Sequence, residues 1–196
     1  MKNIILLVIL SVCSHLSSAQ IHVSDYDVKF DGTGLETNHI GFQNAIDDAH
    51  KLGKSVFIAP GKIKLSGSLS VPKDMVINGS GIASTTIIFL GTSGSVFKGE
   101  NGFSIHHLEI SNTKYREKSR AIQCNGGKLN ASFLQISHNW DVGIECSNCT
   151  TVNIQACKVL GRPDNESGIK FNGTSSEIKI TDTFVQNFVN GILING

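Results

Sequence analysis

From Phe103 to Gly196 the chain writes one pattern four times, and this repetition restricts the fold more than any other feature. Apolar residues alternate at Phe103, Ile105, Leu108 and Ile110, and again after a loop at Ile122 and Cys124. The order returns as Leu129, Ala131, Leu134, Ile136, Ile144 and Cys146, and then as Val152, Ile154, Cys157, Val159, Ile169 and Phe171. Its last pass is Ile178, Ile180, Thr183, Val185, Ile192 and Ile194. Successive passes start 26, 23 and 26 residues apart. Each contains three short period-two segments, too short for helices and too small to bury their own apolar faces alone. Stacking every segment in parallel on its equivalent in the next coil puts all these residues in one continuous core. The fold class predicted is therefore all-β, a parallel β-helix. Asn125-Gly126, Asn172-Gly173 and Asn195-Gly196 follow the third segment of a pass, where left-handed backbone turns the corner.

The chain of 196 residues, 40% hydrophobic and 17% charged, is sized for one domain with a substantial core. Its net charge of +1 argues against general nucleic-acid binding. Lys2, the apolar run Ile4 to Val12 and Ser17-Ser18-Ala19 predict a cleavable signal over residues 1–19. No stretch is long enough to span a bilayer, so an exported protein, extracellular or periplasmic, is expected. Cys13 follows Val12 where a lipoprotein box requires a small residue. Cys124, Cys146, Cys149 and Cys157 remain after the signal, and they are read either as a disulfide set or as small apolar members of an inward stack. Cys146-Ser147-Asn148-Cys149 has metal-pair spacing, but no second such pair accompanies it. Sequons at Asn78, Asn130, Asn148, Asn165 and Asn172 are either glycan sites or a by-product of Asn- and Ser-rich corners.

Residues 20–196 are expected to form the solenoid. Ile40, Ala45 or Ile46, Ala49 and Leu52 recur at helical spacing, with Thr37 or Asn38 as cap and Gly53 as stop; this helix is predicted to cover the open end of the first coil. Strand-like pieces follow at Ser55 to Ala59, Lys62 to Leu65, Leu69 to Val71, Met75 to Ile77 and Thr85 to Leu90. The order of Asp31-Gly32-Thr33-Gly34, the helix, Val56-Phe57-Ile58-Ala59-Pro60-Gly61, Leu69-Ser70-Val71-Pro72, Val76-Ile77-Asn78-Gly79-Ser80-Gly81 and Thr85-Thr86-Ile87-Ile88 resembles the opening of the pectate-lyase-like superfamily. The resemblance covers about Val28 to Leu90. It implies a right-handed coil, in keeping with the bias of parallel crossovers, and a group of polysaccharide lyases, glycosidases, epimerases and tail-spike depolymerases. The Asn-Thr-Asp, Asp-Asp, Gly-His-Gly and Arg-Ile-Lys motifs of polygalacturonase-like members are absent, as is the Asp-Pro-His-Glu motif of alginate epimerases. The strand comparable to the latter reads Gly143-Ile144-Glu145-Cys146.

Chemistry is expected where the long loops line up between the second and third segments. Arg116, Lys118, His138 and Asp141 are the candidate catalytic residues, and Tyr115, Arg120, Trp140, Arg162, Asp164 and Glu166 the candidate substrate-binding residues. Aromatic faces stack on pyranose rings, and Arg and Lys pair with uronate carboxylates. A lyase needs a base beside a neutralised carboxylate, with Ca²⁺ on Asp141, Asp164 and Glu166 as one source of neutralisation. A hydrolase needs two opposed carboxyls, offered by Asp141 with Glu145 or by Asp164 with Glu166. Against these stand plainer roles: a solvated loop at 114–120, Trp140 sealing a corner, and Glu145 paired with Lys170 across strands. The function expected is cleavage of an acidic polysaccharide by a secreted carbohydrate-active β-helix. The alternative is a non-catalytic glycan-binding or adhesin-type solenoid. The last coil stops without a capping segment, so either further chain or an oligomer is expected over that end.

Overall fold

In the computed structural model the described residues are 20–91, 93–113 and 117–196. The expected signal over 1–19, with Cys13, lies outside them, as do Lys114, Tyr115 and Arg116. The architecture is an all-β parallel solenoid with little helix. Strand β1 (Gln20–His22) pairs with β2 (Ser55–Ile58), which opens the first coil and is followed by β3 (Gly61–Leu65) and β4 (Leu69–Val71). The next coils are β5 (Val76–Gly79), β6 (Thr85–Phe89) and β7 (Gly94–Gly99); β8 (Gly102–Asn112) and β9 (Ser119–Asn125); and β10 (Lys128–His138) with β11 (Val142–Ser147). After them come β12 (Thr151–Gln155), β13 (Lys158–Leu160) and β14 (Ser167–Asn172), then β15 (Glu177–Thr181), β16 (Phe184–Gln186) and β17 (Asn190–Asn195). The third strand of every coil joins a 6-stranded sheet running β4-β7-β9-β11-β14-β17. The other two faces merge into an 11-stranded sheet, because β8 and β10 continue through the bend between them.

The repeat read from the sequence is the pairing register. Phe103 faces Leu129, Leu129 faces Val152 and Val152 faces Ile178. On the 6-stranded sheet Cys124 faces Cys146, Cys146 faces Phe171 and Phe171 faces Ile194. In the first three passes every inward residue is buried. The fourth pass is different: Ile178, Phe184, Val189, Ile192 and Ile194 are exposed, and no described residue lies over them. Cys124, Cys146, Cys149 and Cys157 are free thiols buried in the core, so the stack reading holds over the disulfide reading. Burial pushes the Cys157 thiol up to about 11.

Helix α1 (Leu35–Lys51) begins earlier than expected, behind Gly34 at φ 65°. Neither Thr37 nor Asn38 is the N-cap: the Thr37 hydroxyl donates to the Gly34 carbonyl, and Asn38 is buried inside the helix. The Asn38 amide accepts from the Lys29 N–H at 2.6 Å and donates to the Thr33 and Lys64 carbonyls at 2.8 and 3.2 Å, tying the leading loop to β3. The buried face is Phe42, Ala45, Ile46 and Ala49, whereas Ile40 and Leu52 are exposed. Phe42 meets Phe97 edge-on at 6.1 Å, and Gln43 exchanges two hydrogen bonds with the Ser70 backbone. No helix among the described residues is long and apolar enough to cross a membrane.

Trp140 is the clearest correction to the expected ridge. It is 0% exposed, stacks on Phe89 at 5.9 Å between centroids and donates its indole N–H to the Ser137 carbonyl at 3.0 Å. A ring so enclosed seals a corner and offers no face to a ligand. Trp140→Ala is expected to cost about 3–5 kcal/mol in urea-induced unfolding, as for other buried aromatics. A loss near zero would return this ring to the surface.

Candidate functional site

The long loops do stack into a ridge, through side-chain amides that satisfy the backbone of the neighbouring coil. Asn112 donates to the Asn139 carbonyl at 3.2 Å while Asn139 donates to the Asn112 carbonyl at 3.1 Å. The Arg162 guanidinium donates to the Asn139 amide oxygen at 3.3 Å, and the Ser167 N–H to the Asp141 carbonyl at 3.1 Å. On the 6-stranded sheet, beside this ridge, five charged side chains gather. Arg120 forms an ion pair with Glu145, which is only 5% exposed and also accepts from the Asn172 amide at 2.9 Å. Lys170 pairs with Glu166. Asp141 joins them without an ion pair of its own among the described residues and accepts the Lys118 backbone N–H at 3.0 Å.

The electrostatics single out Asp141. Burial raises its pKa, and nearby Glu166 raises it further, against the lowering effects of the Lys118 N–H, Arg120 and Lys170. One carboxyl that retains its proton beyond the usual range thus sits near two carboxylates that are each held by a cation. That division of roles is what proton transfer to or from a bound substrate requires.

Among the expected residues, the structure brings together Asp141, Arg120 and Glu166, with Lys118 adjoining through its backbone. Lys118 itself is exposed at φ 61°, and His138 is exposed at the end of β10 with φ 72°. Arg162 and Asp164 pair with each other at 3.5 Å in solvent, while Glu166 pairs with Lys170. The expected Glu145–Lys170 ion pair is replaced: they are register neighbours, but Glu145 reaches Arg120 and Lys170 reaches Glu166. Asp141, Asp164 and Glu166 do not form a Ca²⁺ site, and no group of three His, Cys, Asp or Glu side chains among the described residues could hold a metal ion. Arg116 and Tyr115 lie outside the described residues.

Two residues of the cluster escaped the sequence reading as site members, Lys170 and Asn172. The signal for Lys170 was the row of outward positions Gln123, Glu145 and Lys170, which the register confirms. Of the sequons, Asn165 is fully buried, and its oxygen accepts the Arg162 N–H at 2.8 Å. Asn148 is exposed, whereas the amides of Asn130 and Asn172 are bonded to Ser104 and Glu145. A cavity of about 480 Å³ beside the C-terminal end of α1, lined among others by His50, Lys54, Ser55, Lys73 and Asn78, lies away from the ridge.

No family model matches the chain, and no curated protein does. Similar solved structures exist. The catalytic unit of a thermostable GH87 α-1,3-glucanase from Streptomyces thermodiastaticus aligns with a TM-score of 0.68 and 18% identity, over 89% of this chain and 33% of that one. ORF18 of Geobacillus virus E2 aligns at 0.51 and 16% identity, over 90% and 43%. The Agl-KA catalytic domain aligns at 0.50 and 17% identity, over 91% and 48%. These likenesses show the β-solenoid fold, and this chain spans between a third and a half of each neighbour.

The raised Asp141 pKa has a testable sign. Folding favours the protonated carboxyl, so its contribution to stability is fully present below the unfolded carboxylate pKa and is lost as pH rises through the folded value. Asp141→Asn is therefore expected to gain thermal stability relative to the parent chain as pH rises from acid to neutral, with little difference at the acid end. Melting curves at stepped pH check this, and a constant offset would contradict it.

Proposed function

We propose that this chain is a secreted, carbohydrate-active solenoid of the pectate-lyase-like kind that cleaves an acidic polysaccharide along the ridge. The observation that carries the reading is the Asp141 carboxyl, without an ion pair among the described residues, pKa raised by burial, beside Glu166. Asp141 is the proton-transfer group. Exposed Lys118 and Arg162 on the same ridge supply cations for uronate carboxylates. Hydrolysis is the better reading than elimination, because Asp141 stands beside further carboxyl groups in one cluster, as a pair of acid and base or nucleophile requires. One similar structure is named as the catalytic unit of an α-1,3-glucanase and another as a catalytic domain, which supports a polysaccharide-acting reading without bearing on the charge of the glycan. We take the coil as right-handed, following the bias of parallel crossovers. Helix α1 then covers the apolar end of the first coil. The absence of the polygalacturonase motifs keeps a non-catalytic glycan-binding solenoid as the competing reading.

Chain scission of pectin, alginate and neutral glucans is the direct assay. The expected result is new reducing ends without unsaturated products, a rate that falls as pH rises through the raised Asp141 value, and a loss of about 10²-fold or more in Asp141→Asn. Unsaturated ends would convert the reading to a lyase. Retention of a glycan without scission would establish the binding solenoid instead.

A further inference from the structure

The bend between the two halves of the 11-stranded sheet carries a second row of interest, on a different edge from the ridge. His107, Phe133, Ala156 and Asp182 occupy equivalent corner positions in successive coils. Their flanking residues fix the register: Ser132 faces His106 and Leu134 faces Leu108, Gln155 faces Ser132 and Thr181, and Lys158 faces Gln135 and Phe184. All four have left-handed backbone, with φ of 58°, 52°, 51° and 51°. The first two rings are nearly parallel, 7° apart, with centroids separated by 4.8 Å. That separation matches the spacing of adjacent strands, about 4.8 Å. Phe133 nonetheless keeps 44% of its surface exposed.

One more step along the same direction reaches the rung of Ala156, where a methyl group stands in place of a ring. The rung after it presents the exposed carboxylate of Asp182, about 9.6 Å from that of Phe133 by strand spacing. The backbone does not demand an aromatic at this corner, since Ala and Asp adopt the same conformation one and two coils on. An exposed ring face, a gap one rung thick and a hydrogen-bond acceptor on the far side are the parts of a stacking subsite.

We infer that the space over Ala156 is a saccharide subsite, in which one pyranose ring stacks on the free face of Phe133 and donates a hydroxyl hydrogen bond to Asp182. It recognises the ring face and a hydroxyl, so it does not require an acidic sugar, and it retains a polysaccharide apart from the ridge. This rests on the polysaccharide reading of the chain but not on cleavage.

Affinity electrophoresis through gels containing pectin, alginate, xylan or a soluble glucan tests it, with melting temperatures measured alongside. Ala156→Phe fills the gap with a third ring, which Phe133 shows this corner accommodates. The expected result is retardation of the parent chain in at least one gel and at least tenfold weaker retention in Ala156→Phe. Phe133→Leu, which keeps apolar bulk and removes the ring face, is expected to weaken retention about fivefold. Retention unchanged in both variants overturns the subsite and leaves the ridge reading standing. No retardation of the parent in any gel also overturns it. Retention that depends on Ala156 in a chain that shows no scission supports the subsite and removes the cleavage reading.

Discussion

The structure depends on parallel strand pairing held in register from coil to coil. Each backbone ladder bond joins one coil to the next, and each inward side chain lands on its equivalent, so the hydrogen-bonded network and the apolar core are built by the same translation. A slip of one residue would turn Ile144, between Ile122 and Ile169, out toward solvent and Glu145 into the core. The uneven steps of 26, 23 and 26 residues are absorbed mainly by the loops between the second and third strands, with smaller differences at the corner after the third strand. Where the lengths vary the backbone leaves the ladder, and there side chains are free to do chemistry.

This division explains what the sequence disclosed. The inward residues of four passes were legible because alternation and recurrence constrain them twice over. The strands of the first coils matched within a residue or two at most ends, as with Leu69–Val71. The helix was legible as an element but not at its start. Asn38 has the chemistry of a cap, yet its amide satisfies Lys29, Thr33 and Lys64, three partners brought together only by tertiary folding. Ile40 and Leu52 fit the helical spacing and still face solvent, since the covered surface is only as wide as Phe42, Ala45, Ile46 and Ala49.

The site was legible as a row and illegible as pairs. Register alone places Glu145 beside Lys170, but long side chains reach diagonally and along the strand, so Arg120 takes Glu145 and Glu166 takes Lys170. Trp140 sits between polar neighbours in sequence, and nothing local distinguishes a ring that lies over the ridge from one that turns beneath it onto Phe89. Asp141 was named from its loop. Its special protonation comes from burial and from Glu166 in the neighbouring coil, both consequences of the stack.

Ridge and corner are two outcomes of one repeat. At the ridge, loops of different length let each coil contribute a different side chain at a different height, which suits a compact cluster with divided charge. At the corner no residue is inserted, and His107, Phe133, Ala156 and Asp182 stand at equal intervals with the same backbone angles. The backbone there is indifferent to the side chain, and the His107–Phe133 stack is a cross-strand contact outside the core, so the order ring, ring, methyl, carboxylate is set at the surface and not by the core. In the subsite proposed above, a flat-faced sugar would continue the stack of rings beyond Phe133 and end on the Asp182 carboxylate.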